Sequence, residues 1–175
     1  ATSASKQQVD KDKDTADHTA KEQQAVALIN QGKIEDAEEI YRKLIAAGTK
    51  NHIVYFNLAA ICGMQSRFNE LEELLRETLQ LKPNYPAAHY NLGIALQVQG
   101  DLNAAIASYN TALQLKPNYP DVHNNLGIAL QEQGDFDSAI ASYNTALQLK
   151  PNYPEAHYNS GDPLHTHPDL KEANA

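Results

Sequence analysis

Apolar residues in this chain recur at helical spacing. In residues 86–119, Leu92, Ala95 and Leu96 share one face, with His89 a turn earlier, and Ala105, Ile106, Tyr109, Ala112, Leu113 and Leu115 follow at offsets of three and four. Such spacing buries one stripe of a helix and leaves the remainder to water, so it predicts two consecutive helices. Gln99-Gly100-Asp101 parts them: glycine accepts the left-handed conformation of a tight turn, and the aspartate can cap the helix that follows. Pro117 ends the second helix, because the residue ahead of a proline is pushed out of helical geometry. Pro86 and Pro120 then fall in the first turns of the next helices, where a missing N–H does no harm.

The pattern returns. The hexapeptide LKPNYP occupies 81–86, 115–120 and 149–154, at intervals of 34 residues. Residues 86–119 and 120–153 differ at seven of 34 positions, and two further units precede them without insertion. Residues 52–85 keep Tyr55, Asn57, Leu58, Phe68, Leu79 and Pro83 in register, and residues 18–51 keep Leu28, Gly32, Ala37 and Tyr41. A fifth unit opens at Pro154 and fails at Ser160, where Leu92 and Leu126 stood, with Asp162-Pro163 behind it. A fixed period of this length signals stacked helix pairs, each unable to bury its apolar face alone. LKPNYP is the expected hinge between pairs. The expected organisation is a polar tail or helical extension over 1–17, a repeat array over 18–159 (18–51, 52–85, 86–119, 120–153 and a partial 154–159), and an irregular tail over 160–175. Gly93 and Gly127 fall in mid-helix, where glycine costs about 1 kcal/mol relative to alanine. Close approach of the paired helix is the expected reason, with Ala25 and Ala59 at the same place in the earlier units.

A 34-residue helix–turn–helix unit carrying Leu92-Gly93, Ala105, Tyr109, Ala112 and Pro117 in this order resembles the tetratricopeptide repeat. His89, His123 and His157 stand where that family often has an aromatic residue, kept only at Tyr55. The resemblance implies an all-α fold, an α-solenoid of antiparallel helix pairs stacked in a right-handed superhelix, with the first helix of each pair lining a concave groove. It implies that Phe56, Tyr90, Ile94, Asn124 and Ile128 face this groove, and that Met64, Gln97, Val98 and Gln131 extend its wall. One equivalent position in the groove carries Asn57, Asn91, Asn125 and Asn159.

A carboxamide offers two donors and an acceptor, so it can pair with a peptide unit as another backbone would. The row is similar to the asparagine ladder in the repeat domain of the O-linked N-acetylglucosamine transferase, and AIASYNTALQLKP resembles that enzyme's repeats. Asparagine at this place also serves ordinary repeats by bonding neighbouring helices or water, and both roles stand at this point. At about 0.5–1.5 kcal/mol net per hydrogen bond, a peptide read this way binds at roughly micromolar strength. Family members that clamp acidic tails set Lys or Arg around one asparagine. Here those places hold Glu22, Ala87 and Asn91, or Phe56, Asp121 and Asn125, while Glu132 and Glu155 add further negative charge. The expected partner is therefore an extended protein or peptide segment, apolar at one end and neutral to basic at the other.

A net charge of −8 argues against nucleic acid, which calls for clustered cations. No apolar run approaches the roughly 20 residues that cross a bilayer, so no membrane partner is expected. Cys62, the one cysteine, leaves the redox compartment open, and the absence of a leader-like start favours the cytoplasm. It falls on an apolar helix face and reads as a small buried residue. The recurring histidines read as packing residues. His165 and His167, with Asp162 and Asp169 nearby, read as part of an irregular tail. With no paired base and nucleophile, the expectation is a non-enzymatic module with no cofactor and no metal. The apolar surface near Ile140 and Leu147 lacks a following repeat, so partial end-to-end self-association is also expected, unless Leu164 and Leu170 fold back over it. Two other readings stay open: an architectural spacer acting through its ends, and a substrate-presenting segment of a larger transferase.

Overall fold

The computed structural model describes residues 3–161, and every regular element among them is a helix. Two compact units divide the chain, Ala1–Lys82 and Pro83–Ala175. The first holds α1 (Ser3–Asn30), α2 (Ile34–Ala46), α3 (His52–Met64) and α4 (Phe68–Leu81). Helix α1 packs on α2 and α3 on α4, with α2 joining the pairs through α3. The core between them is Ala25, Ala37, Tyr41, Leu44, Val54, Leu58 and Ile61, fully out of water because these residues form the apolar stripes of α1, α2 and α3, with Leu74 of α4 packed against them. Over residues 3–17 helix α1 is exposed on all sides and rests on local pairs such as Gln8–Asp12 and, just beyond, Asp17–Lys21.

The turn inside each pair needs one left-handed residue. Gly32, Gly100 and Gly134 supply it with φ of 75°, 86° and 90°, but the second pair uses Ser66 at φ 58°. Asp101 and Asp135 cap the next helices, accepting from the backbone N–H groups of Ala104 and Ser138. In the first unit a network takes over part of this work. Glu38 accepts from both Arg42 (2.7 Å) and Arg67 (2.9 Å), and Glu70 accepts from the same two arginines at 2.6 and 3.1 Å. It ties α2 to the α3–α4 turn. Two exposed pairs four residues apart, Lys43–Glu39 and Arg76–Glu72, are formed as well.

The second unit holds α5 (Pro86–Val98), α6 (Leu102–Leu115), α7 (Pro120–Gln133), α8 (Phe136–Leu149) and α9 (Pro154–Asn159). Helices pair as α5 with α6 and α7 with α8; α6 then meets α7, and α8 meets α9. The first helices also touch one another, α5 with α7 and α7 with α9, and so share a wall. Gly93 and Gly127 are explained by rings rather than backbones. A Cβ on Gly127 would stand 2.5 Å from Cε1 of Tyr143, and Gly93 meets Tyr109 in the same way. Each ring is held there by its hydroxyl, which donates to Gln97 (2.8 Å) or Gln131 (2.9 Å) on the partner helix.

The hinges of this unit are locked from two sides. Nε2 of His89, His123 and His157 lies 2.9, 3.0 and 2.8 Å from the carbonyl oxygens of Pro83, Pro117 and Pro151. A carbonyl only accepts, so this nitrogen carries the proton. Within the hinge, Lys116 and Lys150 each place Nζ 4.3 Å from the ring centre of Tyr119 and Tyr153. At the C-terminal end Tyr153 of the hinge and Ala156 of α9 pack on Ala146 and Leu147. The segment with Asp162, Leu164, His165, His167, Asp169 and Leu170 lies outside the described residues.

Candidate functional site

Two concavities contain three of the four asparagine positions, Asn57 in one and Asn125 and Asn159 in the other. In the first unit a pocket of about 300 Å³ is lined by Glu22, Gln23 and Val26 of α1, Tyr41 of α2, and Ile53, Val54 and Asn57 of α3. Asn57 donates from Nδ2 to the Tyr41 hydroxyl at 3.1 Å, and the Glu22 carboxylate accepts from Asn51. Burial raises the Tyr41 pKa above its ordinary value, so the hydroxyl stays protonated beside the amide. Phe56, expected beside Asn57, is half-buried, and Met64 is exposed at the end of α3.

In the second unit a hollow of about 800 Å³ opens between α7 and α9. Asp121, Asn124, Asn125 and Ile128 come from α7, Lys150 and Tyr153 from the hinge, and Pro154, Glu155, Tyr158 and Asn159 from α9. Its amides are bonded to one another and to a phenol: Asn125 donates to the Tyr90 hydroxyl at 3.1 Å, and Asn159 donates to Oδ1 of Asn124 at 3.1 Å. Asn124 lines the hollow while only 4% exposed, and it supports α9 by accepting from Asn159.

Tyr90 stands behind Asn125 in an aromatic cluster, its ring centre 5.3 Å from Tyr119 and 6.2 Å from Tyr109. Burial, then the charge of Asp121, pushes the Tyr90 phenol up to about 12. Burial and a hydrogen bond to Asp121 likewise raise Tyr153. These phenols therefore stay protonated, Tyr90 accepting from Asn125 and Tyr153 paired with Asp121. Chemically the hollow offers amide and phenol hydrogen bonds, the Ile128 side chain, and the carboxylates of Asp121 and Glu155 beside the Lys150 ammonium.

Other expected wall residues lie outside this hollow. Asn91 and Ile94 are half-buried on α5, and Val98 is exposed at its end. Gln97 and Gln131 have their carbonyl oxygens committed to Tyr109 and Tyr143, and Gln97 also donates to Glu132 at 3.0 Å. The hinge residues Lys150 and Tyr153 and the α9 residue Tyr158 were not among the expected site residues. For Tyr153 a signal was present, since a tyrosine stands just ahead of each proline that starts α5, α7 and α9. Cys62 is buried on α3, and burial pushes its thiol up to about 11, which keeps it a neutral packing group.

Residues 96–134 and 130–166 match the family described as TPR repeat, and residues 20–47 match the one described as Tetratricopeptide repeat. No curated protein matches the chain. Among solved structures, the crystal structure of MamA is similar at a TM-score of 0.74, with 25% identity over 78% of this chain and 80% of that one. YrrB, a TPR protein with an unusual peptide-binding site, is similar at a TM-score of 0.75, with 18% identity over 83% of this chain and 75% of that one.

Proposed function

Because the chain belongs to the tetratricopeptide repeat family, we propose that it is a protein-interaction module that holds an extended peptide segment against its first helices. The observation that carries this reading is the hollow beside Asn125 and Asn159. Each of these amides spends one N–H on a neighbour, which fixes the plane of the side chain. A second N–H and acceptor capacity remain on the group. An amide held in one orientation loses little freedom on binding, so its hydrogen bonds to a peptide backbone are not offset by ordering costs. Asn57 is held in the same way above the smaller pocket. Val26, Ile53 and Ile128 supply apolar contact, while Asp121 and Glu155 favour a neutral or basic residue in the second unit. Support of a general kind comes from YrrB, which shares the fold and has a peptide-binding site of its own.

The test is a peptide array probed with the folded chain, followed by titration of the best ligand against Asn125→Ala/Asn159→Ala. Two lost hydrogen bonds of roughly 0.5–1.5 kcal/mol each weaken binding by about tenfold or more. Helicity by circular dichroism stays the same. A ligand that binds the double variant as tightly as the parent would remove the asparagines from recognition.

A further inference from the structure

Helix α8 carries an apolar stripe of Phe136, Ile140 and Leu147, four and seven residues apart and so on one face. Tyr153 and Ala156 pack on its far end at Leu147. Toward the start of α8 the same stripe is open, with Phe136 and Ile140 62% and 48% exposed. The preceding repeat gives the control. Leu102 and Ile106, at the same two places on α6, are half-buried, and α7 packs along that helix. The difference is one of length, since α7 has 14 residues and α9 has six. The open seat on α8 is therefore the one that the second half of α7 takes on α6. All of these residues belong to the second unit.

The chain still carries a remnant of what fills that seat elsewhere. YNLGIAL occupies 90–96, NNLGIAL 124–130 and YNSGDPL 158–164. Gly161 and Leu164 thus stand where Gly127 and Leu130 stand, and the family match that starts at residue 130 runs on to residue 166. The changes are Ser160, Asp162 and Pro163. Gly161 takes φ 72°, which ends α9, and Pro163 would clash inside a continued helix. We propose that residues 162–170 fold back on α8, with Leu164 seated on Ile140 and Phe136 and Leu170 completing the cover. This closes the C-terminal end of the array. Reach suffices: Ile140 lies about 10 Å along α8 from Leu147, and the chain from Gly161 to Leu164 alone spans up to about 10 Å. Mass action selects this segment over a second copy. A segment tethered so closely stands at an effective concentration of about a millimolar, which a free copy at micromolar concentration does not match. Apart from Pro168, the residues between the two leucines are polar (His165, Thr166, His167 and Asp169), as the outer side of a terminal cover must be.

Phe136→Trp in the full chain, which has no tryptophan of its own, reports the cover. The expected result is blue-shifted emission and slow quenching by acrylamide, both unchanged over a wide range of protein concentration. Adding Leu164→Asp shifts the emission to the red and raises the quenching constant toward that of a free indole, with circular dichroism unchanged. A second reading leaves the tryptophan out. Ile140→Cys/Leu164→Cys, with Cys62→Ala to remove the native thiol, is oxidised to a disulfide within one chain. An indole already open to acrylamide before Leu164 is changed overturns the proposal, and so does protection that survives Leu164→Asp. Protection that rises with protein concentration, or a cysteine pair that joins only between chains, overturns it as well and gives the face to a second copy.

Discussion

Gly127→Ala sets two physical effects against each other. Alanine in a helix interior is favoured over glycine by about 0.8–1 kcal/mol. Against this, the new methyl would sit 2.5 and 2.7 Å from Cε1 and Cδ1 of Tyr143, where carbon atoms rest at about 3.5–4.0 Å. The ring must retreat by about 1 Å. It is 1% exposed and tethered through its hydroxyl to Gln131 at 2.9 Å, so it has nowhere free to go. Overpacking of this kind costs about 1–3 kcal/mol, which leaves a net loss near 1 kcal/mol. At this chain length that is roughly 2–4 °C in melting temperature. The chain supplies the rescue: the same two positions in residues 52–85 are Ala59 and Leu75, both fully buried. Gly127→Ala/Tyr143→Leu should therefore lose less than the two single changes added together. Urea titrations followed by far-ultraviolet circular dichroism measure all four corners of the cycle. If Gly127→Ala is as stable as the parent, or the cycle is additive, the ring is not what demands the glycine.

Two further outcomes follow from the first unit. Ser66→Gly relieves a side chain held at φ 58°, and after the extra flexibility of glycine in the unfolded chain the gain is about 0.5–1 kcal/mol, read as a higher urea midpoint. Glu38 titrates below the ordinary glutamate value: burial pushes it up, but hydrogen bonds from Arg42 and Arg67 outweigh that. A lowered carboxylate stabilises fully above its unfolded value of 4.5 and loses that contribution as pH falls through the folded value. The stability gap between the parent and Glu38→Gln should thus narrow from pH 7 to pH 3. A gap that does not change with pH would mean the network contributes nothing through its charge.

The helix pairs and hinges were legible because they are written in short-range chemistry. Gly100, Asp101, Pro117 and Pro120 act on their own neighbours, and a 34-residue period repeats the message. The site was legible only as a row of positions. Whether Asn125 is open or bonded depends on Tyr90, which sits 35 residues away on another helix. Asn124 became a buried support only because the stub α9 folds over it. The Glu38–Arg67 and Arg42–Glu70 pairs span 29 and 28 residues, and local i+4 reasoning sees half of each arginine's partners. For the same reason the demand on Gly93 and Gly127 looked like helix contact in general, when a single tethered ring imposes it.

The hinge carries one last consequence. Its Lys–Tyr stack sits within six residues, and its His–Pro bond closes across another six. A joint whose closing bonds are this local can be copied whole. Duplicating or excising a 34-residue cassette would lengthen or shorten the array with each hinge keeping its own bonds, so reach can change while the corner chemistry stays the same.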